Sequence, residues 1–308
     1  MMNNLNTGSG FRLNAQLLSL CLILFGFIII GSVVFSQSLA FMMGVSIEQI
    51  GTLLAQLEYS PDNHLKLCLA QLFTALTSFV ILPFLYLKYF QKHLLQELLE
   101  RCSTIPSSVT FVLLISLFSL PVVGFLAELN KTIIPYLGIN DGWLQWIERS
   151  ELQAKKLTEL LVYFNSPIDF LLVLLVIAVL PAIGEELLFR GMLQRQFQEI
   201  FRNPHWAIVF AAFLFSFIHF QFLGFIPRMA LGVLFGYVYY WTSNLWMPIL
   251  MHFINNATTF LVVNWQKNHG IPDPLEEEIS PNFYWIIISV LVMFFLINQL
   301  KKRSSSLR

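Results

Sequence analysis

Charge is scarce in this 308-residue sequence. Asp, Glu, Lys and Arg make up 12% of it and hydrophobic residues 56%, whereas soluble domains carry about 25% charged residues. That deficit excludes an ordinary soluble domain and points to one membrane bundle of several spans. Eighteen basic residues balance eighteen acidic ones, so no basic excess exists to hold nucleic acid. Cysteine is sparse too. Cys21, Cys68 and Cys102 stand far apart, which leaves no disulfide framework and no CxxC metal site. There is no internal repeat, no low-complexity tract and no HExxH stretch.

Long apolar runs are abundant. A helix needs about 20 mostly apolar residues to cross the hydrocarbon core. Runs at about 15–35, 67–90, 109–126, 168–198, 206–222, 226–241, 247–263 and 283–300 meet that need. The expectation is an all-α polytopic transmembrane bundle of about eight spans. The first run exceeds the apolar core of a signal peptide and is read as a span. Very short links make spans five to seven antiparallel neighbours.

Lys88, Lys92, Arg101, Arg190, Arg195, Arg202 and the tail Lys301, Lys302, Arg303 and Arg308 fall on one side with Arg12. The other side holds Glu48, Glu58, Asp62, Glu148, Glu151, Asp273 and the run Glu276 to Glu278. The positive-inside rule then predicts both termini in the cytoplasm. The long loop 128–166 contains WLQWIERSELQAKKLTELLVYF, whose helical spacing predicts an interfacial amphipathic helix. The tryptophans cluster near span ends, as an interfacial belt does. His64, His93, His205 and His269 lie near span ends or in loops and read as solvated. Gly232 and Gly236 allow close helix packing, and Arg228 reads as snorkelling to the interface.

Ionisable groups inside a span cost about 2.5–3.5 kcal/mol each on insertion scales, yet Glu185, Glu186, Arg190, His219 and His252 all fall in the apolar second half. Glu186 and Arg190 are four apart and share a helix face as an ion pair. Glu185 points about 100° away and is free for another partner. An ion pair that only fixes packing explains Glu186 and Arg190 equally well. Pro181 and Gly184 just before them are able to kink the helix. His219 and Glu185 fall at similar depth in a hairpin turning at Arg202 and Asn203. His252 and Asn256, four apart on one face, count as shallower from the turn at Asn244. As a set, a carboxylate and a histidine can activate water, while a second histidine and an amide stabilise an oxyanion. Glu185, His219 and His252 are also zinc-compatible ligands, so a divalent metal such as zinc is an open alternative.

EELLFRG (185–191), FSFIH (215–219) and HFINN (252–256) resemble, in order, the EExxxR, FxxxH and HxxxN motifs of the CPBP family, the CAAX prenyl protease and bacteriocin-processing proteins. The resemblance covers about 169–263. It implies an intramembrane endopeptidase, with Glu185 and His219 activating water and His252 and Asn256 forming the oxyanion site. Glu186 and Arg190 would support them, Phe215 would shape the pocket, and a metalloprotease mechanism is one of two argued for the family. The implied partners are the lipid bilayer and a peptide or protein substrate in or at the membrane, membrane-associated or C-terminal and CAAX-like. A non-catalytic immunity or scaffold protein of the same family is the alternative. Three regions result: N-terminal spans with the amphipathic loop at 1–165, the catalytic bundle at 166–265, and a loop, last span and basic tail at 266–308.

Overall fold

The computed structural model describes residues 6–102, 108–138, 140–269 and 283–305. The acidic loop with Asp273 and Glu276 to Glu278, and Arg308, lie outside the described residues. The principal helices are α1 (Asn6–Met43), α2 (Pro61–Phe90), α3 (Lys92–Cys102), α4 (Val109–Ile133), α5 (Asp141–Leu161), α6 (Pro167–Phe201), α7 (Pro204–Phe217), α8 (Phe225–Thr242), α9 (Trp246–Asn268) and α10 (Phe283–Ser305). Among the described residues there is no strand, so the all-α expectation holds.

Three starts use one device. Ser60, Ser166 and Asn203 each precede a proline, and each side chain accepts a backbone N–H of the first turn. The cap satisfies a donor left free by the helix start, and proline fills a first position that needs no N–H. Arg202 ends α6 in the left-handed conformation (φ 52°). The chain therefore reverses within two residues into α7.

Among the described residues seven helices are long and apolar enough to cross a membrane. The expected fifth span falls short of that length. It is the shorter α7, of 14 residues. The run 206–222 reads as continuous because phenylalanines flank its polar residues, but the helix ends at Phe217, before His219, and Phe220 takes φ 52°. The amphipathic helix of the long loop is present as α5. His64 differs from its solvated expectation. It is 3% exposed, with Nε2 3.2 Å from the Leu161 carbonyl, because α5 returns to pack over the start of α2.

α7 packs along α8, α10 along α4, and α1 along α2. α6 lies against both α2 and α9. The α2 contact is very close. A Cβ built on Gly184 would stand 2.7 Å from Cβ of Phe79 and 3.3 Å from its backbone carbon. Overpacking of this kind costs about 1–3 kcal/mol. Gly184→Ala is accordingly expected to lower the unfolding free energy by that amount, measured by denaturation in detergent micelles. An unchanged midpoint would contradict the close packing.

Gly232 and Gly236 open the seam of α8 to α7 and α6. A Cβ at Gly232 would meet Ala212 at 3.0 Å, and one at Gly236 would meet Ile208 at 2.9 Å. The GxxxG spacing thus serves packing within the chain.

Candidate active site

Two stretches of α6 leave ordinary helical geometry, at Leu175–Val179 and Leu187–Gln194, where the turns widen to π-helix. The acidic pair sits between them. Such widened turns recur at functional sites because they re-aim side chains without ending the helix. Pro181 has no N–H, so it cannot satisfy the carbonyl four residues back, that of Ile177. Asn256 supplies the missing donor, its Nδ2 lying 3.2 Å from the Ile177 oxygen. This bond uses one of the two N–H groups of the amide, and Asn255 Nδ2 donates to Asn256 Oδ1 at 3.3 Å. An unsatisfied buried carbonyl costs about 1–3 kcal/mol. Asn256→Leu should therefore destabilise the bundle by about that much, read from its thermal midpoint. An unchanged midpoint would show that the Ile177 carbonyl finds another donor.

Glu186, which is 0% exposed, is held through one oxygen, its Oε2 having no partner among the described residues. Its Oε1 accepts from Arg190 Nη1 at 2.7 Å and lies 2.9 Å from His252 Nδ1. Arg190 also donates to the Gly232 carbonyl at 2.9 Å, and its guanidinium stands 5.0 Å and 5.5 Å from the ring centres of Phe215 and Phe235. An ion pair so enclosed is expensive to desolvate and needs these extra partners. One turn on, Gln194 repeats the pattern with the Gly236 carbonyl at 3.1 Å.

Glu185 is different. It accepts no hydrogen bond among the described residues, and its Oε2 lies 3.9 Å from His252 Nε2. Its side chain keeps 11% exposure where that of Glu186 keeps none. Of the two carboxylates, only Glu185 is open to a further molecule.

Hydrogen bonding fixes both imidazoles. His219 Nδ1 lies 2.8 Å from the Phe215 carbonyl, which can only accept, so Nδ1 carries the proton and Nε2 the lone pair. By the same argument His252 donates from Nδ1 to Glu186 and turns Nε2 towards Glu185. The two rings flank Phe215 edge-on, at 5.4 Å and 5.9 Å. Phe235 stacks on His252 at 5.5 Å.

Arg190, His219 and His252 thus stand around the Phe215 ring, Glu185 and Glu186 are both approached by His252, and Asn256 lies one turn beyond His252 on α9. It also resolves the depth of His252. A cavity of about 970 Å³ is lined by both Gln194 and Asn244. Asn244 is itself buried, with Nδ2 donating to the Arg101 carbonyl at 2.7 Å. The turn at Asn244 therefore lies inside the bundle under α3. Glu186 and His252 each lie eight residues from that level, about 12 Å along their helices.

Arg228 differs from its snorkelling expectation. It donates from Nη1 to Gln221 Oε1 at 2.6 Å and from Nη2 to the Gln221 carbonyl. Phe235, Gln194 and Asn130 were not singled out from the sequence. Among the described residues no three His, Cys, Asp or Glu side chains are grouped to hold a metal. The set Glu185, His219 and His252 does not fit one, and no step is routed through a metal.

Two committed glutamate contacts, one open carboxylate and two oriented imidazoles, all inside a membrane bundle, define a class: a polytopic membrane protein with a buried acid–histidine centre. Residues 167–258, under a third of the chain, match the family described as Type II CAAX prenyl endopeptidase Rce1-like. All seven site residues fall within the match. "Uncharacterized protein YpbD" of Bacillus subtilis (strain 168) is 36% identical over 85 residues, 26% of this chain and 40% of that protein. The chain thus spans well under half the length of that curated relative. No solved structure matches.

Proposed function

We propose that the chain is an intramembrane endopeptidase in which Glu185 takes a proton from water as the water attacks a peptide carbonyl. The observation that carries this reading is the division of labour between adjacent carboxylates. Glu186 is neutralised by Arg190 and His252, while Glu185 alone is open. The family match over residues 167–258 supports the reaction type. His219, with its Nε2 lone pair unengaged, assists the proton transfer. The second N–H of Asn256 stabilises the developing oxyanion, joined by His252 when its Nε2 also carries a proton, and Phe215 fixes the spacing of the two imidazoles. Proton transfer by a positioned side chain contributes about 10²–10⁴-fold. A preorganised oxyanion donor is worth about 10²–10³-fold. The substrate is a peptide at the membrane, membrane-associated or C-terminal and CAAX-like. Basic residues at one set of helix ends support cytoplasmic termini.

The experiment is incubation of the purified chain in liposomes with prenylated C-terminal peptides and with unmodified membrane peptides, read by mass spectrometry. Fragments from an internal peptide bond are expected in at least one set. Intact peptides throughout, from a folded chain, would favour a non-catalytic immunity or scaffold role.

A further inference from the structure

His219 follows the end of α7, in the connecting segment 218–224, which is irregular apart from one 3-10 turn at Phe222–Gly224. α7 rises only about 21 Å over its 14 residues, less than the roughly 30 Å of hydrocarbon. The segment after it turns back within the depth of the bundle. Backbone groups there need protein partners; Arg228 serves the Gln221 carbonyl, and further partners come from outside residues 167–258.

Asn130, on α4 and 2% exposed, donates from Nδ2 to the carbonyls of Phe222 at 2.8 Å and Leu223 at 2.6 Å. Its Oδ1 accepts from the Ile226 N–H at 3.1 Å. From α5, Glu151 Oε1 accepts from the Leu223 N–H at 2.8 Å, and Trp146 packs on Phe222 at 5.9 Å. The segment so held contains Phe220 at φ 52°, directly after His219. Bulky L residues rarely enter that region, and they stay there only where the surroundings over-determine the backbone. Four hydrogen bonds from two helices do so here.

We propose that Asn130 and Glu151 are positioning residues of the His219 turn, holding 218–224 so that His219 Nε2 is presented to the Glu185 cluster. This rests on the proposed function and gives α4 and α5 a part in the reaction. Asn130→Asp keeps the acceptor for Ile226 and loses both donors. Glu151→Gln keeps the acceptor for Leu223 and loses only charge.

The test uses the full chain in liposomes, with Glu185→Gln as the inactive reference. Misplacing a catalytic group by about 1 Å costs about 10²-fold, so Asn130→Ala and Asn130→Asp should lower kcat by about that factor with KM within about twofold. Glu151→Ala should lower kcat about tenfold, while Glu151→Gln stays within about twofold of wild type. Hydrogen–deuterium exchange across 217–226 should rise in both Asn130 variants and in Glu151→Ala, and stay unchanged across 181–194. That second measurement needs no substrate and decides the matter for a variant that has lost activity. Wild-type kcat in both Asn130 variants, or unchanged exchange at 217–226, overturns the proposal and leaves the function standing. Full cleavage by Glu185→Gln overturns the proposed function, and this inference with it.

Discussion

Glu185→Gln is expected to lower turnover by about 10²–10⁴-fold, the contribution of a positioned general base, while the protein folds as before. Glutamine preserves the shape of the side chain and removes only its ability to hold a proton. The fold should tolerate this, because Glu185 accepts no hydrogen bond among the described residues and His252 Nε2 stands 3.9 Å away. The measurement is kcat on a cleaved membrane peptide, normalised to folded protein by thermal midpoint. Loss of activity together with a collapsed midpoint would point to a structural role instead.

Arg190→Ala should have the largest effect on stability, about 3–5 kcal/mol, because removing one partner of a buried ion pair leaves the other charge uncompensated. Arg190 is 1% exposed and Glu186 0%, so no water replaces the lost guanidinium. The same change frees the Gly232 carbonyl and empties the space between Phe215 and Phe235. Arg190→Lys should recover only part of the loss, since an ammonium lacks the planar fork that reaches Glu186 and Gly232 together. Equilibrium denaturation in detergent reads both variants. A loss below about 1 kcal/mol for Arg190→Ala, the value of an exposed pair, would contradict the enclosed ion pair.

The sequence made the acidic centre legible because its logic is local. Spacing on a helix puts Glu186 with Arg190 and turns Glu185 aside, and the 2.7 Å pair and the open neighbour follow that division. The motif order likewise brought His219, His252 and Phe215 into view. What remained hidden depends on distant chain. Pro181 announces a missing N–H, but nothing local says that Asn256, 79 residues away, answers the Ile177 carbonyl. His64 looked solvated because its partner is a carbonyl 97 residues on. The depth of His252 was misjudged because the Asn244 turn is buried, although short turns usually mark a membrane surface. α7 read as a full span because phenylalanines on both sides of His219 raise the hydropathy through a turn that backbone geometry breaks. Asn130 carried a weak signal, a lone amide at the end of an apolar run. Glu151 was indistinguishable from the other acids of its loop.

The most direct test sets the two glutamates against each other. Turnover per folded molecule and thermal midpoint are measured for wild type, Glu185→Gln and Glu186→Gln in the same liposomes. The account predicts a Glu185→Gln chain with wild-type midpoint and almost no cleavage, and a Glu186→Gln chain whose midpoint falls because the buried Arg190 loses its opposite charge and keeps only a neutral amide oxygen. A Glu185→Gln chain that cleaves at the wild-type rate would contradict it.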